Sequence, residues 1–143
     1  MRSWVLQYDA RPWTVNSERG RAGRKGQGTS GHWTKRAGLV REWREAFSKL
    51  AIEQKIPHLE AIYVVVEQFS PTLVIPDTGS NYPAVKAAID GLRDANVIDD
   101  DTAKYVPVIV SMGPVKDKEI GNALRLTIYE VDTNAARWMP TFR

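Results

Sequence analysis

Residues 77–101 read DTGSNYPAVKAAIDGLRDANVIDDD, with carboxylates at both ends of one helix-like segment and a lysine in its first turns. Lys86 and Asp90 are one helical turn apart on the face opposite an apolar stripe, and Asp94 continues that face. Asp77 precedes the segment in a turn-prone stretch, and Asp99, Asp100 and Asp101 follow it. Carboxylate oxygens are natural ligands of a hard divalent ion such as Mg²⁺, which takes one or two of them plus waters and substrate phosphate. Adjacent carboxylates repel one another unless a cation lies between them. A nearby lysine offsets that charge, or meets the negative charge that develops in a phosphoryl transition state. The residues alone leave plainer readings open. Lys86 and Asp90 also suit a surface ion pair of about 0.3 kcal/mol, Asp77 a turn cap, and the Asp run a solvated loop.

The elements that must position these groups are legible in outline. Residues 3–8, SWVLQY, have the aromatic and β-branched content of a short strand that ends before Pro12. Residues 17–33 are rich in Gly, Ser, Arg and Lys without periodicity, which predicts a long basic loop. From Thr34, a fair N-cap, Leu39, Val40, Trp43, Phe47, Leu50 and Ala51 form one apolar stripe, and Pro57 closes the helix. Residues 59–69, LEAIYVVVEQF, predict a central strand covered on each side, because both faces are largely apolar. A second helix is expected from Pro83 to about Ala95, burying Val85, Ala88, Ile89 and Leu92, with Asn96 in a left-handed terminal position. Residues 105–112 and 123–131 read as strands joined by GPVKDKEIGN into an antiparallel hairpin, with a tail over 132–143. The order β-α-β-α-β-β predicts one α/β or α+β domain with a mixed sheet over 1–143.

Composition narrows the function classes. The 143 residues contain no cysteine, which excludes a disulfide scaffold, a thiolate zinc site and a cysteine nucleophile. No apolar run approaches the roughly 20 residues of a membrane span, and no basic-then-apolar leader opens the chain, so a cytoplasmic protein is expected. No Gly-rich phosphate loop of standard spacing is present, which argues against a nucleotide-binding enzyme. The net charge of +3 hides an asymmetry: residues 1–50 carry 11 Lys/Arg against 4 Asp/Glu, and residues 51–101 carry 3 against 9. A basic part beside an acidic part suits a polyanion partner and a metal or proton-transfer site, unless the two parts simply neutralise each other across the fold.

NYPAVKAAIDGLRDANVIDDDTAKYV closely resembles a segment of RusA-type Holliday junction resolvases, above all phage-encoded ones. Their Asp-rich turn leads into a Lys-x-x-x-Asp-(Ala/Gly)-Leu helix and a loop that ends in Asp-Asp, as KAAIDGL and the later DD do here. The likeness is strong over 77–106 and extends in order of elements over about 4–130, including a Pro-x-x-x-Asn turn from Pro12 to Asn16. It implies a RusA-like fold and a homodimeric, Mg²⁺-dependent endonuclease (Mn²⁺ a possible substitute) that nicks four-way and other branched DNA. By position, Asp77, Lys86, Asp100 and Asp101 match the catalytic group, with Asp77, Asp101 and Asp90 as metal ligands and Asp101 the favoured one of the terminal pair. The family's turn reads Asp-x-Asp-Asn, whereas Gly79 and Ser80 stand here at the second Asp and the Asn. One carboxylate is thereby missing, with Asp90 and Asp99 as the residues placed to compensate.

The resemblance also implies roles for the basic residues. Arg11, Asn16, Arg19, Arg21, Arg24, Lys25, Lys35 and Arg36 are expected to contact DNA, mostly phosphates. Trp13, His32 and Trp33 are the candidates to stack on exposed bases; His32 and His58 have no metal-ligand spacing. A near-symmetric junction cut twice suits a two-fold dimer. A phage or prophage origin within a bacterial host, with a role in recombination or repair, follows from the same likeness. The alternatives are a DNA-junction binder of the same fold with a weakened site, and a protein–protein adaptor using the acidic loop and basic arm.

Overall fold

The computed structural model describes residues 1–14, 29–72 and 77–131, with 29–34 described as backbone only. Strand β1 (Ser3–Tyr8) is followed by helix α1 (Thr29–Glu53), strand β2 (Ile62–Ser70) and helix α2 (Tyr82–Asp94). Three strands complete the order: β3 (Val108–Ser111), β4 (Val115–Lys116) and β5 (Ala123–Glu130). The described residues thus form an α+β unit with two helices and one mixed sheet, which adds the short β4 to the expected elements.

The sheet runs β1-β5-β2-β3, with β4 pairing the far end of β2. Strand β5 is antiparallel to both β1 and β2, while β3 and β4 run parallel to β2. The expected hairpin of 105–112 with 123–131 therefore does not form. Hairpin loops run about 2–5 residues, and the 112–122 connection is too long to hold two strands together. It instead carries β4 along β2, pinned by the Asp117 N–H donating to the Ser70 carbonyl at 2.8 Å. Burial explains which strand goes where. Leu124, Leu126 and Ile128 of β5 are fully buried and need neighbours on both sides, whereas β3 exposes Ile109 and Ser111 and suits an edge.

Helix α1 begins at Thr29 rather than Thr34, so the expected loop over 17–33 is helical in its last five residues. No proline blocks that extension, and Gly31 costs a helix only about 1 kcal/mol. Both helices end in the same way. The Ile56 N–H reaches the Ala51 carbonyl and Val97 reaches Leu92, closed by Lys55 at φ 55° and Asn96 at φ 61°. Asn96 occupies the expected left-handed position.

The core lies between the helices and one sheet face. Trp43, Phe47 and Ala51 of α1 and Val85, Ala88, Ile89 and Leu92 of α2 pack with Leu6, Val64, Val66, Leu124, Leu126 and Ile128. Trp43 anchors an aromatic cluster, stacked on Phe47 and met edge-on by Tyr8 and Trp13. The opposite face departs from the expectation for β2: Tyr63, Val65 and Glu67 are only half-buried, and among the described residues no helix covers them. Where the helices cross, Gly91 lets their backbones touch. A Cβ there would overlap the Arg44 carbonyl oxygen and come 3.1 Å from the Ser48 nitrogen.

Candidate functional site

The entrance to α2 is built from a tight turn and a buried polar tether. The Ser80 N–H donates to the Asp77 carbonyl at 3.1 Å and the Tyr82 N–H to Gly79 at 3.2 Å, with Gly79 at φ +82°. That conformation favours glycine. Asn81 follows, 3% exposed, and its side-chain amide donates to Gln68 Oε1 at 2.8 Å; Gln68 is itself 4% exposed on β2. The buried Asn81 Oδ1 and Ser80 Oγ find no hydrogen-bond partner among the described residues. This tether was not anticipated, although the sequence carries its signal. Gln68 continues the inward-facing set Ile62, Val64, Val66, where a polar side chain needs a buried partner.

From that entrance α2 presents Lys86 and Asp90 one turn apart, with Lys86 Nζ donating to Asp90 Oδ1 at 3.4 Å and to Asp101 Oδ2. Both carboxylates have side chains only 17% exposed while the lysine is 48% exposed, so the ammonium reaches from the surface into the space between them. The three consecutive aspartates separate completely. Asp99 meets His58 Nε2 at 3.2 Å, Asp100 meets Arg93 at 3.3 Å, and Asp101 turns to Lys86. Asp100 also accepts the Asp101 backbone N–H at 2.8 Å, which holds the two side chains apart. His58 Nδ1 is meanwhile 2.8 Å from the Asn96 carbonyl, a structural contact across the α2 terminus.

A groove of about 410 Å³ opens beside this group, lined by Trp13, Arg36 and Val40 on one wall and Tyr82, Pro83, Lys86, Ala87 and Asp90 on the other. It brings a cation of α1 to the same cleft as the Lys86 cluster. The expected site residues are thus partly assembled. Lys86, Asp90 and Asp101 converge; Asp100 is turned to Arg93; Asp77 is exposed, and its carboxylate joins none of the ion pairs among the described residues. Arg11, Lys35 and Arg36 are exposed. Asn16, Arg19, Arg21, Arg24 and Lys25, and the side chains of His32 and Trp33, lie outside the described residues. Trp13 is a core residue, 9% exposed, with one edge on the groove.

Among the described residues no group of three His, Cys, Asp or Glu side chains is spaced to hold a metal ion. Asp90 and Asp101 nevertheless converge on a cationic atom, and two carboxylates suit an ion that keeps several waters. Among the described residues, no helix is long and apolar enough to cross a membrane. Comparison with protein-family models gives no match, and comparison with curated proteins gives none.

Proposed function

We propose that the chain is a Mg²⁺-dependent, structure-selective endodeoxyribonuclease of RusA type that resolves four-way and other branched DNA by paired nicks. The observation that carries the reading is the convergence of Asp90 and Asp101 on Lys86, beside a groove that Lys86 and Asp90 line from one wall and Arg36 from the other. The KAAIDGL helix and its trailing aspartates, which resemble that family, supply the reaction class. In this reading Arg36 binds a backbone phosphate and places the neighbouring phosphodiester against Lys86. The Lys86 ammonium stabilises the charge that builds on the phosphoryl oxygens as the bond breaks. Asp101 and Asp90 would hold the metal. A bound Mg²⁺ supplies charge neutralisation at the phosphate and a more acidic water. Two such sites related by a two-fold axis in a homodimer would give the paired nicks.

A second reading has an observation of its own. The carboxylate missing at Gly79, together with the absence of a three-carboxylate group among the described residues, favours a junction binder that has lost cleavage. One assay separates the two: a labelled four-way junction with Mg²⁺ or EDTA, for wild type and Asp101→Asn. Paired nicks that require Mg²⁺ and vanish in the variant, with junction binding retained, support the nuclease. Tight junction binding without nicks, in Mg²⁺ or Mn²⁺, establishes the binder instead.

A further inference from the structure

A second groove, of about 460 Å³, lies along α1 beyond the first and is lined by Arg36, Ala37, Val40, Arg41, Arg44, Glu45 and Asp94. It shares Arg36 and Val40 with the Lys86 groove, so the two are neighbours on α1. Arg36, Val40 and Arg44 stand at successive turns of α1, which spreads the arginines over about 12 Å of helix. Arg44 is fixed in place: its Nε and Nη2 donate to the two Asp94 oxygens at 2.9 and 2.7 Å. The hydrogen bonds between them raise the Arg44 guanidinium further and hold the Asp94 carboxyl below the usual range. Arg41 is exposed, and Ala37 and Val40 are the apolar members of the lining.

We infer that this second groove binds one phosphodiester of the nucleic-acid strand flanking the cleaved bond, with Arg41 and Arg36 as its donors beside the Arg44–Asp94 ion pair. The inference rests on the nuclease reading for the identity of the strand. Guanidinium groups match phosphate, as they do carboxylate, in a planar, two-pronged fashion. None of this involves the residues that meet the cleaved bond, so the subsite contributes affinity without base reading.

The test measures binding of a labelled four-way junction by fluorescence anisotropy in EDTA across a range of KCl concentrations. The variants are Arg41→Gln, Arg41→Lys and, as a charge-matched control on the same helix, Lys49→Gln. Each phosphate contact contributes about 0.9 to the slope of log affinity against log salt. Arg41→Gln should flatten the slope by about that amount and weaken binding at low salt by roughly three- to tenfold, while Arg41→Lys and Lys49→Gln keep the wild-type slope. An unchanged slope in Arg41→Gln, or an equal loss in Lys49→Gln, overturns the subsite, as does a wild type that binds no junction. Wild-type nicking in Mg²⁺ is scored separately. Its absence beside the expected slopes removes the nuclease and leaves the subsite standing, whereas nicking with unchanged slopes does the reverse.

Discussion

Replacing Gly91 by alanine sets two known effects against each other at the point where α1 and α2 touch. In a solvent-facing helix interior the change stabilises by about 1 kcal/mol, because alanine has less backbone entropy to lose. At Gly91 the new methyl would overlap the Arg44 carbonyl oxygen and press the Ser48 nitrogen at 3.1 Å. These are backbone atoms of α1 and cannot rotate aside, so the helices must separate. Overpacking of this kind costs about 1–3 kcal/mol, and the rigidity of the contact points to the upper end. The net expectation is a loss of about 2 kcal/mol, or roughly 4–8 °C in melting temperature for a chain of this size. Gly38, also inside α1, is the control: a Cβ there meets nothing within 4 Å. Gly38→Ala should therefore stabilise by about 0.5–1 kcal/mol. Urea titrations of both variants by circular dichroism measure the two changes. If Gly91→Ala equals or exceeds wild type in stability, the contact does not constrain the helices and the packing argument fails. The consequence reaches the site, since both grooves lie along the seam that this contact closes.

Lys86→Met keeps most of the aliphatic stem but leaves two largely covered carboxylates facing one another. With the solvent exposure of the lysine discounting the pair energies, a loss of about 1 kcal/mol is expected at pH 7. Equal melting temperatures at pH 7 would refute it. Tyr8 donates to Glu42 Oε2 at 2.7 Å, and that hydrogen bond, with burial and the Glu42 charge, raises its phenol from 10.0 to about 12. Because the folded value lies above the unfolded one, the stabilisation is complete below pH 10 and lost as pH rises through about 12. Ultraviolet titration at 295 nm should show one of the five tyrosines ionising late, and Tyr8→Phe should remove that component. Asp94 has the opposite sign: its lowered carboxyl contributes stability above the unfolded value near 3.8 and loses it as pH falls through the folded one. Asp94→Asn should thus melt below wild type at pH 7 and converge with it in acid, and a constant difference across that range would exclude the ion pair as the cause.

How much of this was legible depended on whether the signal was local. The ends of α2 were, because Pro83 suits a first helical turn and Asn96 tolerates a left-handed backbone, and both properties belong to single residues. The apolar stripe of α2 was legible for the same reason. Strand pairing was not, since the long-range neighbours of β3 and β5 depend on which strand can be buried from both sides. The start of α1 was missed because glycine, serine and histidine only weaken a helix that the downstream stripe already nucleates. Gly91 looks like a flaw in the KAAIDGL helix until its partner on α1 is known. The run Asp99-Asp100-Asp101 shows the boundary most clearly. Residue type placed carboxylates near Lys86, but only the path of the chain after Asn96 sends the first to His58, the second to Arg93 and the third to the lysine.

The charge asymmetry between the two parts of the chain left open whether they neutralise one another or build a polyanion site. Packing α1 against α2 gives each possibility its own share of one seam. Arg44 is neutralised by Asp94 across the two parts, while within the acidic part Lys86 offsets one of the two charges of Asp90 and Asp101. Arg36 and Arg41 are exposed on the lining of the second groove, which also holds Glu45. The basic part therefore presents cations along α1, and the acidic part presents the carboxylate–lysine group along α2. Under the proposed activity this separates binding from chemistry by helix. Neutralising Arg36 or Arg41 should raise KM and weaken its dependence on salt while leaving kcat within about threefold, because these contacts are the same before and during bond cleavage. Substituting Lys86 or Asp101 should lower kcat with little change in KM, because their contribution grows as charge develops. A common fall in kcat for both sets would mean that the seam acts as a single unit, and that the division between its two walls is one of sequence and not of mechanism.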